Sequence, residues 1–164
     1  MSGQTDNRPK RSVEYSYTES IKVVKYEDIN PAGRLFGGRL MCWMDEQAGI
    51  AAMRHAGMPV TTASVDNLQF IKGVLLGDVV VLASKVTYVG NTSIEVRMDI
   101  YKENVATGQR VVIDRAYFTE VCLKDDKPCK VPYDLELRTE SEIAEYEGAK
   151  KRIEMRKHRR VEGY

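Results

Sequence analysis

Asp45 is the one acidic side chain in its surroundings that chemistry has to account for. If residues 37–55 are helical, its neighbours three and four positions away are Met41, Cys42, Ala48 and Gly49, all apolar or small. Asp is a poor residue in mid-helix because its side chain competes for backbone hydrogen bonds. A carboxylate buried there costs several kcal/mol unless it is partnered, so it is either satisfied, as by backbone N–H groups of a neighbouring segment or subunit, or functional. Glu46, next to it, points elsewhere around the helix and suits a subunit boundary. Gly37-Gly38 open the same helix, where the first-turn N–H groups lack intrahelical partners and face along a favourable dipole. Such donors suit the oxyanion of a tetrahedral intermediate, though two glycines also suit a helix end packed tightly against another chain. Asn30, before Pro31, reads on its own as turn chemistry.

Other chemistries find little support. The two histidines, His55 and His158, lie far apart, and no G-x-S-x-G is present. Neither a Walker loop nor G-x-G-x-x-G occurs. Cys42, Cys122 and Cys129 include no C-x-x-C and, with two histidines, offer no metal-ligand spacing, so no metal is expected. They read as free buried thiols in a reducing compartment. Lys+Arg 25 against Asp+Glu 24 leaves no net basic surface for non-specific nucleic-acid binding. No apolar run approaches the ~18 residues of a membrane span, and the polar start lacks a signal-peptide core. A cytoplasmic protein with no nucleic-acid or membrane partner is expected.

The elements that must hold these residues follow from patterning. In 164 residues, 43% apolar, one domain is expected. Residues 1–12 read as a disordered tail, 13–135 as the folded domain and 136–164 as a helical extension. Val13 to Tyr26 is β-branched and aromatic, which predicts a strand, and Asn30-Pro31 with Gly33 breaks it. Residues 37–55 predict the central helix, stopped by Gly57 and Pro59. Leu40, Met41, Trp43, Met44, Ala48 and Ile50 to Ala52 cover most of its circumference, so it should be buried on most sides. Segments 61–70, 78–89, 92–101 and 110–123 predict strands. In the third, Ile94, Val96, Met98 and Ile100 face a core, while Ser93, Glu95, Arg97 and Asp99 face water. Gly90-Asn91 and Thr107-Gly108 read as hairpin turns. A capping box of Thr139 and Glu142 opens a last helix with a seam of Ile143, Tyr146 and Ile153. One long helix followed by antiparallel strands predicts an α+β fold, the sheet wrapped around that helix.

Residues 30–45, N-P-A-G-R-L-F-G-G-R-L-M-C-W-M-D, resemble the signature of the hotdog-fold acyl-CoA thioesterases, in particular the cytosolic acyl-CoA hydrolase and bacterial YciA-type branch. The likeness continues through Glu46-Gln47-Ala48-Gly49-Ile50, Thr62 to Asp66, Phe70, Gly77-Asp78, Asn91-Thr92-Ser93 and Tyr117-Phe118-Thr119, spanning roughly residues 15–157. It implies a hotdog fold with an extra C-terminal helix. It further implies hydrolysis of acyl-CoA with Asp45 as general base or nucleophile, Asn30 orienting water or substrate, and Gly37 donating its N–H to the thioester oxygen. Phe36, Gly38, Gly90, Thr92 and Ser93 become substrate contacts by the same resemblance. No cofactor is implied, coenzyme A being part of the substrate. The site should be shared by two subunits, with a trimer of dimers as the larger assembly. A thiolate leaves readily because its conjugate acid has a pKa of about 8.5, so no catalytic histidine is needed.

Lys72-Gly73 departs from a Pro-containing turn in many relatives. Phe36 stands where some distant hotdog thioesterases carry His. The basic run Lys150 to Arg160 could reach coenzyme A phosphates, but most of its cations are expected to stay solvated. The rival readings are a non-catalytic acyl-CoA-binding hotdog module, which would need an attached helix-turn-helix, and a hotdog dehydratase, which would need a histidine in the helix or a preceding strand.

Overall fold

The computed structural model describes residues 7–70 and 72–163. Its elements run β1 (Lys10–Ser12), α1 (Val13–Ser16), β2 (Thr18–Val23), a 3-10 turn (Tyr26–Asp28), α2 (Gly37–Ala56), β3 (Val60–Asp66), β4 (Val79–Val89), β5 (Ser93–Glu103), β6 (Arg110–Lys124), β7 (Lys127–Pro128), β8 (Asp134–Glu136) and α3 (Glu140–Glu162). The main sheet has the order β2-β4-β5-β6-β3, every pairing antiparallel, and β7 adds to β6. Helix α2 lies against its inner face, as an α+β fold with one central helix requires. Ala48, Ala51 and Ala52 let the helix approach closely, and Met44 packs with Leu82, Val96, Met98 and Phe118 in one buried cluster. The αL conformation of Gly57, at φ 70°, ends α2 as expected.

Burial around α2 is less complete than its sequence implies. Leu40, Met44, Gln47, Ala48, Ala51 and Ala52 face the sheet, but Met41, Ile50 and Met53 are 43–44% exposed. The sheet of one chain curls around only one side of the helix.

The outer face of the sheet departs further from expectation. Glu95 and Asp99 do not face water; they are 2% and 7% exposed, Glu95 beneath α3 and Asp99 between Arg97 and Arg115. Arg152 of α3 pairs with Glu95 at 2.7 Å, Arg97 pairs with Glu145 of α3, and Arg156 and Arg159 reach Asp66 of β3. Most of the basic run is solvated as expected, Lys150, Lys151, Lys157 and Arg160 being exposed, but Arg152, Arg156 and Arg159 neutralise acids on the sheet. Its capping box is as expected, Thr139 accepting from the Glu142 N–H, and Tyr146 of its seam stacks on Tyr88 with ring centroids 4.9 Å apart.

The amino-terminal reading needs two corrections. Residues 1–6 of the expected disordered tail lie outside the described residues, but Lys10–Ser12 pair in parallel with β8. Arg8 donates to the carbonyls of Gly90 and Val131, and Arg11 caps α2 by donating to those of Arg54 and His55. These two arginines supply the partners that composition could not show. Val13–Ser16, expected as strand, is a helical turn because the Ser12 hydroxyl accepts from the Tyr15 N–H. The strand expected over 61–70 stops at Asp66, where Asn67 turns at φ 61°.

His55 is wholly buried at the end of α2, its Nδ1 3.5 Å from the Ser16 hydroxyl. Burial first, then the Arg11 guanidinium, hold its imidazole down at about 4, against 6.5 for a free one. The unfolded chain therefore binds an extra proton between those values, so this contribution to stability is complete above pH 6.5 and lost as pH falls through 4. Comparing denaturant unfolding of the wild type and His55→Gln should show a stability difference that changes by about 3 kcal/mol across that window. A pH-independent difference would contradict it.

Candidate active site

The loop ahead of α2 is fixed by its own backbone. The Asn30 side-chain oxygen accepts from the N–H groups of Ala32 (3.0 Å) and Arg34 (3.2 Å), and Gly33 supplies the left-handed residue at φ 72°. Asn30 is thus a turn residue, as its type alone suggests. Its amide nitrogen, however, makes no hydrogen bond among the described residues and remains a donor. The loop is tied down by Leu35 N–H to the Val74 carbonyl (2.7 Å), Phe36 N–H to the Asp28 carbonyl (2.8 Å), and the buried Asp28 carboxylate to Arg39 on α2 (3.1 Å).

At the start of α2 the N–H groups of Arg39 and Leu40 both point to the Phe36 carbonyl. Those of Gly37 and Gly38 have no partner among the described residues. Aromatic rings cover this end. A Cβ on Gly37 would sit 3.1 Å from the Phe70 ring, and one on Gly38 2.6 Å from the Phe36 ring. Two glycines, and no larger residue, leave the amides reachable beneath these rings.

Asp45 is exposed, not buried, in the single chain. Its Oδ1 accepts a 2.6 Å hydrogen bond from the hydroxyl of Thr62 on β3. The same hydroxyl lies 3.0 and 3.3 Å from the two carboxylate oxygens of Glu120 on β6. Glu120 is 1% exposed, on the inner face of the sheet between Ile94 of β5 and Thr62 of β3. Burial pushes its carboxyl up to about 7, the Asp45 charge pushes the same way, and the Thr62 hydrogen bond opposes both. Neither Thr62 nor Glu120 stands out as a candidate in the sequence. Glu120 does carry a signal, since it shares strand parity with Phe118 and Cys122 and so occupies a core position; a lone Thr62 carries none. Glu46 is exposed and accepts from the Cys42 thiol at 3.7 Å. Cys42 is also exposed, against the expectation of three buried thiols, whereas Cys122 is buried.

One chain does not bring the remaining candidates together. Asn30, Phe36 and Gly38 line a depression of about 400 Å³. Asp45 lines another, of about 260 Å³, with Val65, Leu68 and Phe118. Gly38 and Cys42 belong to both and form the boundary between them. Gly90, Thr92 and Ser93 line a third depression, of about 340 Å³, with Arg156, Lys157 and Arg160 of α3. Among the described residues, no three His, Cys, Asp or Glu side chains cluster as metal ligands, and no helix is long and apolar enough to cross a membrane.

The family model of the thioesterase superfamily matches residues 32–109, which contain Asp45 and the Gly37-Gly38 pair. An acyl-CoA thioester hydrolase of Bacillus subtilis, YkhA, is 37% identical over 153 residues, 90% of this chain and 88% of the relative. The chain belongs to the hotdog-fold acyl-CoA thioesterases. An acyl-CoA hydrolase from Staphylococcus aureus, solved with butyryl coenzyme A, coenzyme A and coenzyme A disulfide, superposes with a TM-score of 0.88 at 36% identity, covering 94% of each chain. A hexameric acyl-CoA thioesterase superposes with a TM-score of 0.86 at 37% identity, covering 92% of this chain and 97% of the other.

The causes acting on Glu120 give two shifts of opposite sign. Removing the neighbouring charge in Asp45→Asn should lower the pH at which the Glu120 carboxyl titrates, and removing the hydroxyl in Thr62→Val should raise it. Following the carboxyl ¹³C resonance of Glu120 against pH checks both. The same midpoint in both variants would refute the bridge.

Proposed function

We propose that the chain hydrolyses acyl-CoA thioesters to the free acid and coenzyme A at a site completed by a second copy of itself. Asp45 of one subunit faces Asn30 and Gly37 of the other. The observation that carries this reading is the separation of Asn30 from Asp45 within one chain, each opening on its own side of the Gly38–Cys42 boundary. A second copy has surface to cover. Met41, Ile50 and Met53 of α2 are exposed, and among the described residues β3 is an edge strand paired only with β6. A two-fold dimer presents the same patch twice, so each of its two sites takes Asp45 from one subunit and Asn30 with Gly37 from the other. The hexameric relative supports a trimer of such dimers.

In this site the unpaired Gly37 N–H receives the developing oxyanion, the free Asn30 amide orients water or the substrate carbonyl, and Asp45 acts on the carbonyl carbon, directly or through water. No strong acid is needed because a thiolate, whose conjugate acid has a pKa of about 8.5, leaves readily. Solved variants of the Staphylococcus aureus enzyme change an asparagine, an aspartate and a threonine to alanine. The spacing of those three residues equals that of Asn30, Asp45 and Thr62 here, which supports the assignment and adds Thr62 to it. Gly90, Thr92 and Ser93, beside Arg156, Lys157 and Arg160, offer amides, hydroxyls and positive charge for the phosphates of coenzyme A, which is bound as substrate and not as a cofactor. Three free cysteines suit the cytoplasm.

Subunit mixing tests the shared site. Asp45→Asn and Asn30→Ala, each inactive alone, should on mixing and reassembly regain about a quarter of wild-type hydrolysis, since half the dimers become hybrids with one intact site of two. Failure to regain activity would place both residues in a single subunit's site. Tight binding of acyl-CoA by the wild type without hydrolysis would favour the binding-module reading.

A further inference from the structure

We propose that Glu120 is a positioning residue: it stays protonated while the enzyme works and, through the Thr62 hydroxyl, holds Asp45 as the ionised carboxylate that accepts the proton of the attacking water. The proposal rests on the thioesterase reading and concerns a residue that reading does not use.

The argument begins with hydrogen atoms. A threonine hydroxyl carries one hydrogen and can donate to one acceptor at a time. Three carboxylate oxygens lie within 3.3 Å of the Thr62 oxygen, and the shortest contact, 2.6 Å, is to Asp45. If that hydrogen goes to Asp45, the Thr62 oxygen must face Glu120 with its lone pairs. An ionised Glu120 would then set oxygen against oxygen at 3.0 Å with no hydrogen between. A protonated Glu120 resolves this by donating to Thr62, which donates to Asp45.

The surroundings favour the proton on Glu120 over the proton on Asp45. Glu120 is 1% exposed, and its flanking residues are Ile94 on β5 and Thr62 on β3, neither charged. From α2 the charged group acting on it is Asp45, of like sign. No cation pairs with Glu120 among the described residues. Asp45 is exposed, so water solvates its charge. Burial and the Asp45 charge together push the Glu120 carboxyl up to about 7, the same direction the hydrogen count requires.

The chain leaves Asp45 Oδ2 without a hydrogen bond among the described residues, free for substrate water. That water's oxygen bonds to the thioester carbonyl carbon while its proton passes to Oδ2. The tetrahedral intermediate then re-forms its C=O bond and breaks the C–S bond, and the departing sulfur takes the proton from Asp45. Glu120 and Thr62 keep their own protons throughout, so they are not consumed and need no recharging.

The test is the dependence of kcat/KM on pH. As Glu120 ionises, the Thr62 hydrogen is drawn from Asp45, so wild-type kcat/KM should fall on the alkaline side with an apparent pKa near 7, on the order of tenfold for one lost orienting hydrogen bond. Glu120→Gln keeps a neutral donor to Thr62 that cannot ionise, and this limb should vanish. In a Thr62→Val background, Glu120→Gln should cause no further change. The proposal is overturned if the limb persists unchanged in Glu120→Gln, if the wild-type profile is flat from about pH 6 to 8.5, or if the Glu120 ¹³C resonance titrates at the ordinary carboxylate value of about 4.3. Complete absence of wild-type hydrolysis would instead remove the thioesterase reading, and the proposal with it.

Discussion

Thr62 has a single hydroxyl hydrogen and two carboxyl groups around it, and the organisation of the site depends on how that hydrogen is shared. The bridge joins three elements, α2 through Asp45, β3 through Thr62 and β6 through Glu120. It forms because α2 is pulled onto the sheet by Met44 and the alanine face on the same side, which sets Asp45 beside the edge strand. Side-chain position and ionisation are thereby coupled. A shift of α2 relative to β3 would break the shortest hydrogen bond and change the charge that Glu120 can carry.

The same helix also carries the proposal that two chains share the site. Its inner face is satisfied by the sheet, whereas Met41, Ile50 and Met53 are left exposed beside Asp45. Asn30 lies on the other side of the Gly38–Cys42 boundary from that carboxylate, and the first turn of the helix presents two unpaired amides at Gly37 and Gly38. In the proposed dimer, two copies related by a two-fold axis would cover the apolar residues and unite amide with carboxylate in one step. Under that proposal association and catalysis share a cause.

Much of this was legible in the sequence, for physical reasons that differ by element. The absence of proline and the Gly57 stop defined α2, and alternation defined β5, because these depend on local periodicity. The special position of Asp45 was visible because a mid-helix carboxylate has few local partners. Its exposure was not, since its apolar neighbours Met41 and Ile50 lie on a side of α2 that the sheet of the same chain leaves uncovered. The parity of Glu120 with Phe118 and Cys122 could have marked it as a core acid, yet its bridge through Thr62 joins residues 58 positions apart and leaves no local trace. Three arginines in the basic run of α3 departed from expectation for a similar reason. Arg152, Arg156 and Arg159 read as a solvated stripe until Glu95 and Asp66 appear beneath them. Likewise, Arg8 and Arg11 order the residues after the described start by reaching carbonyls that sequence alone cannot place nearby.

The central claim, that Asp45 drives thioester hydrolysis, is tested most directly by free-thiol release from a panel of acyl-CoA esters, comparing the wild type with Asp45→Asn at equal concentrations of folded, assembled protein. The account predicts thiol release by the wild type from at least one chain length. It predicts a loss of at least about a hundredfold in kcat for Asp45→Asn, with acyl-CoA still bound. Near-normal release by Asp45→Asn would contradict it.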